Sequence, residues 1–172
     1  MLLKTDRLTI RPVAADDWKS IKEIWLDFNA APFSQYDKPH NTADEDVCAR
    51  IAKWAAANNG SEHMFFAICL DDVIIGYSAF NIRENGYEMG YCFHSAYHGK
   101  GYAKESHIAL FEYLRTLGIT RITAGTAINN IPSVSFLKSL GFTLTDTERV
   151  SFYKDSEGND IVFDGGVFEL SL

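Results

Sequence analysis

The sequence lacks the cysteine pattern of a disulfide framework or a zinc ribbon. Its three cysteines, Cys48, Cys69 and Cys92, are odd in number and contain no Cys-x-x-Cys pair. Basic residues are also few, because 16 Lys and Arg stand against 23 Asp and Glu, for a net charge of −7. Nucleic-acid binding favours basic surfaces, so this balance argues against a nucleic-acid partner and is compatible with a cationic substrate.

Long apolar runs are missing as well. No segment approaches membrane-spanning length, and residues 1–5 lack the apolar core of a signal peptide. We therefore expect no membrane association and a cytoplasmic protein. The 172 residues, 47% of them hydrophobic, predict a single globular domain over residues 1–172 and leave a homodimer open.

Three familiar motifs are absent around a glycine-rich segment. A dinucleotide fingerprint needs a third glycine where Lys104 stands, a P-loop needs Gly-Lys-Ser/Thr, and no Gly-x-Ser-x-Gly occurs. Two glycines nevertheless stand just ahead of a helical pattern, where backbone N–H groups are free at the positive end of the helix dipole. This predicts a phosphate-binding turn, with a plain tight turn as the alternative. The segment reads His98-Gly99-Lys100-Gly101-Tyr102-Ala103-Lys104.

Hydrophobic periodicity predicts one α+β domain with a mixed sheet. Two helical patterns follow the first strand, one capped by Asp16 or Asp17 and one opened by the capping box Thr42–Glu45. Two further helices are predicted at 103–117 and 133–140. Strands are predicted at 8–12, 64–70, 73–80, 87–94, 121–126, 142–153 and 161–170.

The order of these elements resembles the GCN5-related N-acetyltransferase (GNAT) superfamily. Asn130-x-x-Ser133 and Leu140-Gly141-Phe142, downstream of the glycine turn, carry the resemblance. The chain is similar to the ribosomal-protein N-terminal acetyltransferase branch through residues 6–12, 73–76, 88–91 and 167–170. The resemblance implies the GNAT fold, a central mixed, mostly antiparallel sheet splayed at the middle strands with helices on both faces. It also implies transfer of the acetyl group of acetyl-CoA to a primary amine by direct attack.

The resemblance assigns the cofactor-binding residues. The family's phosphate loop, Gln/Arg-x-x-Gly-x-Gly/Ala, falls on residues 98–103, where His98 departs from it. The pantetheine arm is then expected along the strand that ends in Cys92, Phe93 and His94. Asn130 is expected either to contact the pantetheine or to cap a helix without contacting it. Cys92, His94 and His98 have metal-ligand types, but they lie where the cofactor is placed, so we expect no metal.

Two residues are candidates for catalysis. Glu88 is the expected general base for the amine, with a surface carboxylate paired to Arg83 or to a cross-strand partner as the alternative. The resemblance places Ser133 near the coenzyme A sulfur, where its hydroxyl would stabilise thiolate charge, with a helix cap as the alternative. The tyrosine that protonates the thiolate in many relatives is replaced here by Leu137.

The acceptor is the least determined part of the prediction. A protein N-terminus and a small-molecule amine both fit. Phe28, Phe33 and Tyr36 are candidates for an acceptor pocket, with an aromatic core as the alternative, and Asp37 and Glu84 are candidates for attracting a cation. A coenzyme-A-binding module with little catalysis, or an interaction protein on an inherited scaffold, remain the other hypotheses.

Overall fold

An eight-stranded sheet organises the chain in a computed structural model that describes residues 1–172. The strands follow the spatial order β1-β2-β3-β4-β5-β6-β8-β7. They are β1 Leu3–Lys4, β2 Leu8–Pro12, β3 His63–Leu70, β4 Val73–Arg83, β5 Gly86–Phe93, β6 Arg121–Ala127, β7 Thr143–Lys154 and β8 Asp160–Ser171. The helices are α1 Trp18–Ala30, α2 Asp44–Ala57, α3 Tyr102–Thr116 and α4 Ile131–Ser139.

The sheet opens at its only parallel pair, β5 and β6. All other neighbouring strands are antiparallel, whereas β5 meets β6 through just two pairs, Tyr87 with Ile122 and Glu88 with Thr123. The rest of β5, from Met89 to Phe93, pairs with β4 alone. The predicted mixed sheet that is splayed at its middle strands is therefore confirmed.

The two faces of the sheet carry separate hydrophobic cores. Helices α3 and α4 cover one face of the sheet. The residues buried between them and the sheet form the first core, which includes Met89, Leu114 and Leu137. Helices α1 and α2 cover the other face, and the residues buried there form the second core, which includes Trp25 and Cys92. Because side chains alternate along a strand, β5 contributes its odd-numbered residues to the first core and its even-numbered residues to the second. No helix is both long and apolar enough to cross a membrane.

Three predictions about helix starts are wrong. Asp17 precedes α1 without capping it, because its carboxylate instead binds Arg11 at 2.7 and 2.8 Å and accepts the N–H of Ala14. Helix α2 begins after Ala43 with no side-chain cap, so the capping box at Thr42 does not form. Helix α4 begins at Ile131, two residues earlier than predicted. The Asp17 carboxylate has local partners outside the helix, and Pro132 fits the first turn of α4, so two of the three starts have a local explanation.

Candidate active site at the splay of the sheet

The glycine turn leads from the end of β5 into α3. Gly99 and Gly101 adopt positive φ angles of +71° and +81°, which L residues rarely adopt. The turn is therefore tight, as both interpretations require, and its binding of phosphate stays a prediction. The first intrahelical hydrogen bond runs from Glu105 N–H to Gly101 O. None of the six backbone N–H groups from Gly99 to Lys104 donates a hydrogen bond. This turn is therefore a set of free donors at a helix N-terminus.

Arg7, far away in sequence, braces this turn. Its guanidinium donates to the carbonyl of Lys100 at 3.0 Å, pairs with Glu105 at 2.5 Å and lies 4.5 Å over the ring of Tyr102. Burial alone would raise the pKa of Glu105, but the hydrogen bonds from Thr5 and Arg7 outweigh it and hold that pKa below its ordinary value. Glu105 stays ionised on Arg7, which fixes the orientation of the turn. Sequence reasoning assigned Arg7 to a family motif but not to this contact.

The edge of β5 next to the turn is free because of the splay. His94 N–H donates to Ile75 O on β4 at 3.0 Å. Backbone groups alternate sides along a strand, so those of Phe93 and Tyr91 face the opening, whereas those of Cys92 face β4. The His98 ring lies 2.8 Å from Phe93 O and donates to it from Nε2. His98 thus folds back onto the strand, and Phe93 presents more backbone to the opening than Cys92 or His94 does.

Glu88 stands where β5 and β6 separate. Its carboxylate binds Arg83 at 2.5 Å, and the two side chains are 43% and 54% exposed. This is the ion pair that the alternative interpretation predicted, and the role of Glu88 as a base stays a prediction. An exposed pair of this kind contributes little to stability.

An open space lies beside Glu88, on the face of the sheet that carries the Glu88 side chain. A Cβ added to Gly90 or to Gly125 would meet no heavy atom within 4 Å. Glu88 on β5 and Thr123 on β6 are paired, so their side chains lie on the same face of the sheet. Gly90 and Gly125 each come two residues later, and alternate residues of a strand share a face, so both glycines lie on that face as well. The two glycines therefore flank a cleft between the diverging strands.

Ser133 and Tyr91 meet across the splay. The Ser133 hydroxyl lies 2.6 Å from the Tyr91 hydroxyl, while the backbone N–H of Ser133 donates to Asn130 Oδ1 at 3.3 Å. Asn130 is therefore the cap of α4, and the interpretation of Ser133 as the cap is wrong. Leu137, at the place of the relatives' tyrosine, is fully buried in the first core.

Comparison with known proteins decides the family. A family model described as an acetyltransferase (GNAT) domain matches residues 7–143, which is most of the chain. The chain belongs to the GNAT acetyltransferase family. The uncharacterized N-acetyltransferase YnaD of Bacillus subtilis (strain 168) is 31% identical over 159 residues, covering 90% of this chain and 86% of that protein.

Solved structures share the fold of this GNAT domain. The acetyltransferase from Salmonella typhimurium that modifies the N-terminal serine of ribosomal protein L7/L12 matches with a TM-score of 0.84 at 18% identity, over 100% of this chain and 99% of that chain. The microcin C7 self-immunity acetyltransferase MccE, solved with acetyl-CoA and AMP, matches with a TM-score of 0.80 at 18% identity, over 98% and 94% of the two chains. The resemblance to the GNAT superfamily is thereby confirmed, with a ribosomal-protein acetyltransferase among the structural neighbours.

Cys92 of the GNAT domain points away from the splay into the second core. Burial, helped by the charges of Asp27 and Asp37, raises the pKa of Cys92 to about 12. Its thiol is therefore almost entirely protonated at neutral pH and is a poor nucleophile. His94 lies 3.9 Å from Asp27, and His98 is bonded to Phe93 O, so the three residues of the Cys-x-His-x-x-x-His pattern take separate directions.

A buried polar pair ties α3 to the strands of the GNAT sheet. His107 is fully buried, and its Nδ1 lies 2.7 Å from Ala103 O, to which it donates. The other ring nitrogen, Nε2, accepts from the Ser78 hydroxyl at 3.1 Å. Burial lowers the pKa of His107 to about 4, so the ring is neutral at physiological pH. This pair links β4 to the first turn of α3 just after the glycine turn.

The loop between α1 and α2 packs against the last hairpin. Tyr36 contacts Phe163 at 5.4 Å between ring centroids, and the Tyr153 hydroxyl donates to Ser34 O at 3.2 Å. The ring of Phe33 lies 6.4 Å from that of Tyr36, in a tilted arrangement. Phe28 instead packs against His40 and the second core, so it does not join that group.

Two acidic candidates of the GNAT domain take different positions. Partial burial raises the pKa of Asp37, and its carboxylate accepts only the N–H of Lys38. Asp37 lies in the loop between α1 and α2. Burial is the main cause of the raised pKa values of Cys92 and Tyr153, and the Asp37 charge adds to both. Glu84 lies instead in the β4–β5 turn, beside Arg121.

Proposed function

We propose that this protein is an N-acetyltransferase that binds acetyl-CoA at the splay and transfers the acetyl group to a primary amine. The observation that carries the proposal is the row of six free N–H groups from Gly99 to Lys104 at the end of an unpaired strand edge. The diphosphate of coenzyme A is an anion with many acceptor oxygens, and such donors at a helix N-terminus fit it. Lys100 and Lys104 add positive charge beside them.

The strand edge suits the pantetheine arm. Its amide groups would pair with the backbone of Tyr91 and Phe93, which faces the opening, as an added strand would. The carbonyl of Phe93 is shared with His98. In this arrangement the thioester reaches the region of Ser133 and Tyr91.

Glu88 is the proposed base. An amine such as a lysine side chain is mostly protonated near pH 7 and cannot attack until it loses a proton. Glu88 borders the cleft that Gly90 and Gly125 leave open, so a carboxylate and space for an acceptor occur together. Its oxygen would take the proton directly or through water.

A protein N-terminus or a small-molecule amine is the proposed acceptor. A protein N-terminus is supported by the Salmonella neighbour, which modifies the N-terminal serine of a ribosomal protein. The net charge of −7 favours a cationic amine of either class. Asp37 and the aromatic groups of the loop 31–43 would line the entrance on the hairpin side. We further propose cytoplasmic activity, and the homodimer stays a prediction.

The test is release of free coenzyme A thiol from acetyl-CoA over a panel of amines and peptides with free N-termini. Glu88→Gln should lower kcat by about a hundredfold or more, the range expected of a general base. Arg83→Gln is the matched control, because it breaks the same ion pair and keeps the carboxylate. It should retain activity within about threefold.

Two results would contradict the proposal. Absence of turnover with every amine, in a protein that is folded, would remove the acetyltransferase reaction. Equal losses in Glu88→Gln and Arg83→Gln would show that the ion pair matters and that the base is elsewhere.

A further inference from the structure

The Tyr91 and Ser133 hydroxyls form an isolated hydrogen-bonded pair. Their oxygens are 2.6 Å apart, and neither hydroxyl has another hydrogen-bond partner in the protein. Tyr91 belongs to β5 and Ser133 to the first turn of α4, so the pair bridges the strand edge and the helix beside the splay. The roles that the family resemblance assigns to residues of this site do not include one for the Tyr91 side chain.

Two aromatic rings pack against the ring of Tyr91. Phe136 packs against it at 4.7 Å between centroids and His107 at 5.7 Å, both edge to face. Such packing restricts the ring to one rotamer, so its hydroxyl is fixed in place before any ligand binds. The backbone of Ser133 is held as well, because its N–H donates to Asn130 Oδ1.

The direction of the hydrogen bond follows from acidity. A phenol is a much stronger acid than an aliphatic alcohol, so Tyr91 donates and the Ser133 oxygen accepts. The proton of Ser133 then has no protein acceptor and is free to point into the opening. The tyrosine thereby determines where the serine hydroxyl donates.

We propose that Tyr91 is a positioning residue that orients the Ser133 hydroxyl to donate to the sulfur of coenzyme A as the thiolate leaves. This inference rests on the proposed function. The amine nitrogen forms a C–N bond with the acetyl carbon and gives up a proton to Glu88, while the thioester C–S bond breaks and its electron pair goes to sulfur. The serine hydrogen bond stabilises that charge, and the thiolate takes its proton from solvent after departure.

Tyr91 itself keeps its proton throughout. Burial raises its pKa to about 12, although the hydrogen bond with Ser133 opposes this. A thiol has an ordinary pKa of about 8.5, so a thiolate does not remove a proton from such a phenol. The pair therefore stabilises the leaving group and does not act as its acid.

The experiment measures the ionisation of coenzyme A bound to the protein, which needs no acceptor amine. The ultraviolet absorbance of the thiolate is followed against pH, with coenzyme A lacking the sulfur as the blank. Tyr91→Phe and Ser133→Ala should each raise the pKa of the bound thiol by about one unit, equivalent to a tenfold change in its ionisation constant. The double variant should show no more than either single one.

Two control variants isolate the hydroxyl pair. Tyr113→Phe removes the hydroxyl of another half-buried tyrosine of the first core and should leave the bound thiol unchanged. Ser133→Thr keeps a hydroxyl and should stay close to the wild type. With acetyl-CoA and an amine, Tyr91→Phe should lower kcat by about tenfold and leave the KM for acetyl-CoA within about twofold.

The outcomes separate this inference from the proposed function. If coenzyme A binds and its thiol ionises alike in the wild type, Tyr91→Phe and Ser133→Ala, the inference is wrong and the proposed function stands. If the folded wild type does not bind coenzyme A, both fall. Additive effects of the two substitutions would also contradict the inference, because two residues acting through one hydrogen bond cannot contribute independently.

Discussion

Replacing Gly90 with valine tests whether the open face of β5 serves the acceptor. A glycine inside a strand is destabilising by roughly 0.5–1 kcal/mol relative to alanine, and valine is well suited to strands. A Cβ at this position meets nothing within 4 Å, so no steric cost offsets that gain. In a chain of 172 residues, about 1 kcal/mol corresponds to a rise in Tm of about 2–4 °C.

Activity should change in the opposite direction. The isopropyl group would fill the space two residues from Glu88 on the same face, where the attacking amine is proposed to lie. We expect kcat/KM for the amine to fall at least about tenfold while the KM for acetyl-CoA stays within about twofold. The assays are thermal unfolding and steady-state kinetics with each substrate varied in turn.

Two further glycines serve as controls for Gly90→Val. Gly125→Val, on the other side of the cleft, should behave like Gly90→Val. Gly76→Val should instead destabilise the protein, because its Cβ would lie 2.4 Å from the ring of Phe93. A Gly90→Val protein that is more stable and fully active would refute the assignment of this space to the acceptor.

Two further predictions concern cysteine reactivity and acid stability. Alkylation at pH 8 should modify exposed Cys48 and spare Cys69 and Cys92, because burial raises both of their pKa values, that of Cys92 to about 12; rapid labelling of native Cys92, followed by mass spectrometry, would contradict this. The pKa of His107 is about 4 in the folded protein and 6.5 in the unfolded chain, so the unfolded chain binds the proton first as the pH falls. The free energy of unfolding should therefore fall by about 2 kcal/mol from pH 7 to pH 5. His107→Gln should remove that loss in urea unfolding, and an unchanged pH dependence would disprove its origin.

The glycine turn was predictable because its information is local. Gly99 and Gly101 supply the positive φ angles that the turn needs, and Gly118 does the same after α3. The parallel strand and helix around the turn follow from short-range periodicity. Helix starts were less predictable, because the Asp17 carboxylate binds Arg11 and the N–H of Ala14 instead of capping α1, and the sequence does not rank such partners.

Contacts between distant parts of the chain were beyond sequence reasoning. Arg7 reaches Lys100 across 93 positions, and Tyr91 reaches Ser133 across 42. The first depends on the packing of α3 against β1 and β2, and the second on the packing of α4 beside β5, and no local pattern encodes either arrangement. The alternation of side chains along β5 places Tyr91 on the face of the first core, but it does not identify the hydroxyl that Tyr91 meets there.

The central claim is that the turn from Gly99 to Lys104 binds the phosphates of acetyl-CoA through free backbone N–H groups. Titration calorimetry of acetyl-CoA with the wild type, Gly101→Ala and Gly118→Ala tests it most directly. Both glycines have positive φ angles, +81° and +77°, so both substitutions should cost about 1–2 kcal/mol of stability. An added Cβ meets nothing within 4 Å at Gly118 and only the Arg7 guanidinium at 3.5 Å, an ordinary contact, at Gly101. We predict that Gly101→Ala weakens binding at least about tenfold and that Gly118→Ala binds like the wild type. Equal affinity of the three proteins, or no binding by the folded wild type, would contradict the claim.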